Sequence, residues 1–280
     1  MIPSPFEYEL AESVDHALDL VGGFGDDAKF LAGGHSLLPL MKLRLAQPSA
    51  LVDIGRLSEL SYVKEDGDKI AIGSLTTHED VEFSDVLKKH CPLVAYTAGI
   101  VGDPQVRHRG TIGGSVAHGD PASDLPTVLL TVDAEFVVRG AKGKRTVAAR
   151  DFFKSLFEVD LSPQEMLTEI RVPKLDGAGW SYQKFHVREQ DWAVVGVAAV
   201  LPSSNSGTAA AAVGLTTMGA TPLRAASVEA ALRAGASIEE AAQEADRDTS
   251  PPSDPMGSAE YRREIAKILT RRALEEARSR

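Results

Sequence analysis

Residues 29–45 read KFLAGGHSLLPLMKLRL, a run in which two apolar segments flank a pair of glycines. The apolar run at 29–32 is typical of a strand, and the two glycines after it predict a turn. The apolar run at 37–45 predicts a helix, because a proline such as Pro39 is tolerated in a first helical turn. The stretch therefore predicts a strand, a glycine turn and a helix in succession.

A second glycine pair lies further along the chain, in Thr111-Ile112-Gly113-Gly114-Ser115. Adjacent glycines lack the Cβ atoms that would hold a ligand away, so backbone N–H groups can approach an anion to hydrogen-bonding distance. Hydroxyl side chains add donors. The helix after the first glycine loop, at 32–36, would point its positive end at the same anion. Two such loops suit a diphosphate. The Lys-Ser/Thr ending of a P-loop is missing, which argues against nucleoside triphosphate hydrolysis.

The composition narrows the class of protein. The chain has 280 residues, 43% of them hydrophobic and 25% charged, which predicts two globular domains. Its 40 acidic and 30 basic side chains give a formal charge of -10, which disfavours nucleic-acid binding. No apolar run is long enough to predict a transmembrane segment, and the first residues lack a basic start and an apolar signal core. We therefore expect a cytoplasmic or peripheral protein.

The single cysteine, Cys91, excludes an internal disulfide and leaves too few thiols for an iron–sulfur cluster or a zinc ribbon. Cys91 is predicted to be a buried core thiol. Any redox chemistry then requires a bound cofactor or another subunit.

Several other motifs are incomplete. The spelling G-x-G-x-x-A at 23–28 follows a helix predicted over 13–21 and ended by Gly22 and Gly23, so it indicates a turn rather than a dinucleotide site. Both glycine-serine loops resemble a nucleophile elbow but lack its final glycine, which disfavours a serine hydrolase. His78 has no second histidine one helical turn away, so a zinc-protease site is not predicted, and it is interpreted as a surface or satisfied structural histidine.

Two later regions complete the sequence-based organisation. Residues 103–126 hold four glycines and three prolines, which predicts an irregular and functional segment. Beyond a linker at 173–179, strands are predicted at 180–187, 193–201 and 209–218, with a turn at 204–207. A final helix over 258–278 carries an apolar stripe that is predicted to pack on the preceding sheet. The stripe consists of Tyr261, Ile265, Ile268, Leu269 and Ala273.

The two loops, together with the DPASDLP segment at 120–126, resemble the medium, FAD-binding subunits of aerobic carbon monoxide dehydrogenases. They are similar more broadly to the flavoprotein subunits of xanthine dehydrogenase family molybdenum hydroxylases. The resemblance implies an α+β fold whose two-lobed FAD-binding domain, of the vanillyl-alcohol-oxidase-like (PCMH) type, spans 1–175, with lobes of about 1–57 and 58–175. A small α+β C-terminal domain with a three-stranded sheet and helices would span 178–280.

The resemblance also implies the cofactor-binding residues. Both loops would wrap the FAD diphosphate and the adjoining ribityl chain, and Asp124 would accept hydrogen bonds from sugar hydroxyls. Lys184 would approach the flavin ring, where a cation favours negative charge. Leu167 would pack on the apolar part of FAD, and Trp192 would lie beside the isoalloxazine. The full set is Ala32, Gly33, Gly34, His35, Ser36, Leu37, Thr111, Ile112, Gly113, Gly114, Ser115, Asp124, Leu167, Lys184 and Trp192.

Two positions depart from the family pattern. Ser115 stands where many relatives have asparagine, which weakens one hydrogen bond but keeps the geometry. Trp192 stands where the carbon monoxide dehydrogenase subunits carry tyrosine, so stacking is preserved while access to the flavin is restricted. The tryptophan therefore affects the prediction of the electron acceptor more than the prediction that the cofactor is FAD.

The implied function is electron transfer, with no catalytic acid, base, nucleophile or metal ligand on this chain. FAD would take electrons from a [2Fe-2S] small subunit fed by a molybdenum-pterin large subunit, in a dimer of heterotrimers that is cytoplasmic or peripheral at the inner membrane face. Two alternatives stay open: a stand-alone FAD oxidoreductase and a non-redox nucleotide-binding protein. The substrate pocket would lie in the molybdenum subunit, so carbon monoxide, purines, aldehydes and N-heterocycles all remain candidates, as do several electron acceptors.

Overall fold

The structure, a computed structural model, describes residues 2–202 and 210–280. It is a mixed helix and strand fold with sheets of three, five and four strands and one short hairpin. Within these residues, none of the helices combines the length and the apolar character needed to cross a membrane.

The first sheet is parallel, and its connections are helices. Strand β3 lies between β1 and β2. Its elements are β1 Glu7–Leu10, α1 Val14–Phe24, β2 Ala28–Leu31, α2 Leu37–Lys42 and β3 Ala50–Asp53. Helix α1 runs through the glycine pair to Phe24, so the prediction that the pair ends the helix is wrong. Gly25, with φ of 85°, adopts the backbone geometry that ends α1.

The second sheet is antiparallel throughout, in the order β4-β5-β10-β6-β7. One of its faces carries a set of helices, and together they bury the largest core cluster. The strands are β4 Val63–Asp66, β5 Lys69–Gly73, β6 Glu135–Gly140, β7 Gly143–Ala148 and β10 Met166–Pro173, with the small hairpin β8 Phe153–Ser155 and β9 Glu158–Val159. The helices are α3 His78–Phe83, α4 Asp85–His90, α5 Pro92–Gly99, α6 Pro104–Arg107, α7 Ile112–His118, α8 Asp124–Thr131 and α9 Ala149–Phe152.

The segment 103–126 is more regular than predicted, because it contains α6, α7 and the start of α8. Side-chain caps explain the difference. Asp103 accepts a hydrogen bond from the Val106 N–H at the start of α6, and Thr111 accepts one from the Gly114 N–H at the start of α7. These caps stabilise short helices in a stretch whose glycine and proline content predicts none.

The C-terminal region packs helices on an antiparallel sheet. Its elements are β11 Gly179–Phe185, β12 Val195–Leu201, β13 Ala212–Thr216, β14 Leu223–Arg224, α10 Ala226–Arg233, α11 Ile238–Ala242 and α12 Ala259–Ser279. The sheet has four strands and not the predicted three, since the two residues of β14 are too few to show an alternating pattern. The turn predicted at 204–207 lies outside the described residues.

Helix α12 packs on this sheet as predicted, and Leu269 and Ala273 of the predicted stripe are buried, but other members of that stripe are not. Tyr261 and Ile268 are 44% and 42% exposed. The buried face instead follows the spacing 262, 266, 269, 273 and 277 and includes Arg262, which is 1% exposed. A charged residue in the buried stripe is the feature that apolar periodicity misses.

Cys91 is fully buried in the core of the second sheet, as predicted. Burial raises the pKa of its thiol to about 12, so the reactive thiolate is not populated at neutral pH.

Candidate functional site

A cleft of about 630 Å³ opens at the carboxyl end of β2, where the first two sheets meet. This volume lies within the usual range for small-molecule sites, and the carboxyl ends of parallel strands are common places for ligands. All the predicted cofactor-binding residues line the cleft except Ile112. The structure therefore brings both glycine loops, Asp124, Leu167, Lys184 and Trp192 to one site.

The two loops touch through their backbones. A Cβ atom on Gly33 would lie 2.1 Å from the Arg109 carbonyl oxygen, just before the second loop. A Cβ atom on Gly113 would lie 2.5 Å from the Ser74 carbonyl oxygen, at the end of β5. Real Cβ atoms do not approach backbone atoms so closely, so these glycines allow chain segments to pack against each other. The prediction that the glycines make room for a ligand is therefore corrected at Gly33 and Gly113, where the missing Cβ atoms make room for neighbouring backbone.

The first loop offers a row of free donors. Within the described residues, the backbone N–H groups of 33–37 donate to no protein acceptor. Gly34 has φ of 78°, a left-handed conformation that glycine adopts without strain. Five consecutive free N–H groups beside a cleft form the kind of concave donor surface that binds anions.

The second loop differs, because its N–H groups are already used. The N–H groups of Ile112 and Gly113 donate to Thr76 and Ser74 at 3.0 and 2.9 Å. Those of Gly114 and Ser115 donate to the Thr111 hydroxyl and carbonyl at 3.0 and 3.1 Å. Ile112 is itself fully buried and faces the core, which corrects its predicted place in the site. At the cleft the second loop therefore offers mainly the hydroxyls of Thr111 and Ser115.

Asp124 and Lys184 form a buried ion pair between α8 and β11. The Lys184 Nζ atom lies 2.8 Å from one Asp124 carboxylate oxygen, and the Tyr182 hydroxyl donates to the other at 2.7 Å. The side chains of Asp124 and Lys184 are only 4% and 5% exposed. Burial raises the pKa of Asp124, while the hydrogen bonds from Lys184 and Tyr182 act against this rise. Both carboxylate oxygens thus already have protein donors, and the pair joins the C-terminal region to the wall of the cleft.

Two buried polar side chains at the cleft were not predicted. Within the described residues, Ser74 Oγ and His78 Nδ1 have no hydrogen-bond partner. The His78 ring is 3% exposed, and its Nε2 atom lies 3.2 Å from the Ser115 hydroxyl. Burial, with smaller contributions from His35 and Arg107, lowers the pKa of His78 to about 4. His78 is therefore a neutral, buried cleft residue and not the surface or satisfied histidine that the sequence suggests, and no motif around it signals this role.

Acidification is expected to destabilise the protein through His78. An unfolded histidine titrates near pH 6.5 and folded His78 near 4, so this contribution is complete above pH 6.5 and is lost as the pH falls to 4. The loss is about 3 kcal/mol of unfolding free energy. Urea unfolding at pH 7 and 4.5 should show a smaller pH dependence in His78→Gln than in the wild type. His16→Gln is the control, and an equal pH dependence in all three proteins would contradict the assignment.

Apolar side chains form part of the cleft wall, and an aromatic side chain lies at its rim. Leu167 is buried in its wall, and Trp192, which is 55% exposed, stands at its edge. No group of three or more His, Cys, Asp or Glu side chains in 2–202 and 210–280 is arranged to hold a metal ion. The geometry is that of a site that binds an anion beside an apolar body.

Comparisons with known proteins agree with this geometry. The protein family described as "FAD binding domain in molybdopterin dehydrogenase" matches residues 4–175. The family described as "CO dehydrogenase flavoprotein C-terminal domain" matches residues 180–277. The carbon monoxide dehydrogenase medium chain of Hydrogenophaga pseudoflava is 42% identical, over 99% of this chain and 98% of that protein. The glyceraldehyde dehydrogenase medium chain of Sulfolobus acidocaldarius is 38% identical, over 99% of both chains.

A solved structure is equally similar. It is that of carbon monoxide dehydrogenase from Hydrogenophaga pseudoflava lacking the Mo-pyranopterin moiety, which superimposes with a TM-score of 0.96 and 43% identity. The match covers 100% of this chain and 99% of that one. The chain therefore belongs to the family of FAD-binding flavoprotein subunits of molybdopterin dehydrogenases, which includes the medium chains of carbon monoxide dehydrogenase.

Proposed function

We propose that this chain is the FAD-binding electron-transfer subunit of a carbon monoxide dehydrogenase-like molybdenum hydroxylase. In this proposal it takes electrons from a [2Fe-2S] subunit and passes them to an external acceptor. When bound, FAD supplies the capacity to store two electrons. Residues 1–175, in lobes of about 1–57 and 58–175, would bind FAD, and 178–280 would complete the cleft.

The row of free N–H groups at 33–37 is the single observation that carries the proposal. Hydrogen bonds from neutral N–H groups to an anion are stronger than those between neutral groups, and a diphosphate has oxygens enough for several of them. The Thr111 and Ser115 hydroxyls, on the loop packed against Gly33, would donate to the same diphosphate. The orphaned Ser74 Oγ and His78 Nδ1 atoms also fit a polar ligand, because buried polar atoms normally have a partner.

The roles of the remaining residues follow from their contacts. Asp124 is held by Lys184 and Tyr182, so a sugar hydroxyl would share its carboxylate rather than be its only partner. Lys184 would place one buried positive charge near the cofactor and favour its reduced, more negative state. Leu167 would pack against the apolar part of FAD. None of these residues needs to exchange a proton, so the protein's part is to bind, orient and tune the cofactor.

The proposed partners are an iron-sulfur small subunit and a molybdenum-pterin large subunit, in a dimer of heterotrimers. We place this complex in the cytoplasm or at the inner membrane face. Relatives of the whole chain are named for carbon monoxide and for glyceraldehyde, which supports a substrate pocket on another subunit. Purification of the native complex, followed by mass measurement of its chains and of the intact assembly, tests the partners and their stoichiometry.

The function is tested by loading the full chain with FAD and measuring its visible absorbance. One FAD per chain is expected, and the flavin should bleach when the reduced iron-sulfur partner is added anaerobically. Bleaching by an organic substrate alone would indicate a stand-alone oxidoreductase instead. Bound FAD that no donor reduces would indicate a non-redox nucleotide-binding protein, and failure to take up FAD would contradict every flavoenzyme interpretation.

Trp192→Ala is expected to change the reaction with the acceptor more than the binding of FAD. Aromatic stacking contributes about 0.5–1.5 kcal/mol, so FAD affinity should fall by about tenfold or less. Reoxidation should become faster because the exposed indole no longer stands at the rim of the cleft. Stopped-flow reoxidation of the reduced, loaded chain measures this effect, and unchanged rates would show that Trp192 does not control access.

A further inference from the structure

The position of Trp192 depends on the backbone of the residues that follow it, because its own side chain is largely unpacked. It lies in the loop 186–194 between β11 and β12, and its side chain is 55% exposed. The next two residues, Ala193 and Val194, are 3% and 2% exposed. The backbone that follows the indole is therefore buried at once, and its contacts decide where the indole can stand.

Two buried side chains hold this backbone. The Thr217 hydroxyl donates to the Ala193 carbonyl at 2.8 Å, and the Arg262 guanidinium donates to the Val194 carbonyl. The Val194 N–H also donates to the Phe185 carbonyl at 2.8 Å and closes the base of the loop. The carbonyl groups of the two residues that follow Trp192 are thus held by side chains from other parts of the structure.

Arg262 connects three parts of the structure. It lies on α12, and its second guanidinium nitrogen contacts both carboxylate oxygens of Asp254, at 2.6 and 2.7 Å. A buried cation is costly unless it is paired. The planar guanidinium can bind a carboxylate and a carbonyl at once, which the single ammonium of lysine does less well. The side chain is therefore suited to fix the end of the loop, just before β12, against α12.

Thr217 connects the same loop to the wall of the cleft. Its φ is 65°, an outlier for a β-branched residue, and such a conformation persists only when surrounding contacts determine it. Its N–H donates to the Pro121 carbonyl at 2.9 Å, in the segment before α8. Its hydroxyl meanwhile holds Ala193. Thr217 thus links the segment beside Asp124 to the residue after Trp192.

We propose that Arg262 and Thr217 are positioning residues that hold the Trp192 indole at the mouth of the cleft and so set how freely an acceptor reaches the flavin. The proposal rests on the proposed function for its consequence, because FAD must occupy the cleft for acceptor access to matter. The positioning itself does not depend on FAD. It can therefore be tested on the chain without cofactor.

The test uses the full chain with one tryptophan removed. In Trp180→Phe, time-resolved fluorescence anisotropy reports the local motion of Trp192, and in Trp192→Phe it reports Trp180 on β11 as an internal reference. Arg262→Lys and Thr217→Val are each expected to at least double the amplitude of the fast motion of Trp192 and leave that of Trp180 unchanged. Arg263→Lys, one position along α12, is the matched control. Asp254→Asn replaces Arg262→Lys if that variant does not fold.

An unchanged Trp192 signal in either variant would overturn the role assigned to that residue. Equal loosening of Trp180 would overturn the proposal as a whole, because it would indicate a general loss of stability. In the FAD-loaded chain the same variants should shift reoxidation in the direction of Trp192→Ala while FAD content is kept. If the motion of Trp192 increases but the rate of reoxidation does not change, Arg262 and Thr217 position the indole without controlling how the acceptor reaches the flavin. That result would contradict the second half of the proposal.

Discussion

Gly33→Ala is expected to lower FAD affinity at least about 100-fold, because two charge-assisted hydrogen bonds of about 1.5 kcal/mol each would be lost. The added Cβ atom would lie 2.1 Å from the Arg109 carbonyl oxygen, so the two loops must move apart. The N–H groups of 33–37 would then no longer face the Thr111 and Ser115 hydroxyls across one diphosphate. Titration of the FAD-free chain, followed by flavin fluorescence, measures the loss.

Gly22→Ala is the matched control for this prediction. Gly22 lies within α1, which precedes β2, and nothing lies within 4 Å of the Cβ atom that alanine would add. The control should bind FAD like the wild type and gain about 0.5–1 kcal/mol of stability from its better helix propensity. Circular dichroism of both variants at the titration temperature separates loss of binding from loss of fold. Wild-type affinity in a folded Gly33→Ala protein would contradict the loop geometry.

Lys184→Met is expected to destabilise the protein by about 3–5 kcal/mol at neutral pH, since it leaves the Asp124 carboxylate buried without its cation. The apolar chain of methionine fills much of the same space, so most of the loss is electrostatic. The difference in unfolding free energy between Lys184→Met and the wild type should become smaller as the pH falls. A buried carboxyl with a raised pKa is penalised only when it is ionised, and protonated Asp124 needs no cation.

Urea unfolding of Lys184→Met at several pH values between 4 and 8 tests this account. The double variant Asp124→Asn with Lys184→Met should recover most of the lost stability, because a neutral amide can still accept from Tyr182. Lys69→Met is the control. Lys69 pairs with Glu135 at 2.6 Å, but both side chains are 34% exposed, and such pairs contribute about 1 kcal/mol or less. A loss in Lys184→Met that does not depend on pH would show that packing, not charge, dominates.

Local patterns were sufficient to predict several of the elements that line the cleft. The strand, turn and helix at 28–42 follow from short-range apolar and glycine patterns, and both glycine loops line one cleft as expected. Helix α1 was also predicted, although its end was not, because Gly22 and Gly23 are tolerated in a helix that packs on a sheet. These features depend on neighbours in the sequence, which sequence reasoning can assess.

The remaining features depend on contacts between distant segments. The sequence could not indicate that the N–H groups of 112–115 are already bonded, because their acceptors lie on other segments as well as in the loop itself. The same reason hides the pairing of Asp124 with Lys184. Arg262 was missed because a charged residue in a helix is assigned to the solvent face unless its buried partners are known.

A crystal structure of the FAD-loaded chain would show whether the backbone N–H groups of 33–37 bind the diphosphate. It should place oxygens of the diphosphate within about 3 Å of backbone nitrogens in 33–37, with the Thr111 and Ser115 hydroxyls on the same group. A diphosphate bound elsewhere, with the N–H groups of 33–37 facing only solvent, would contradict the account.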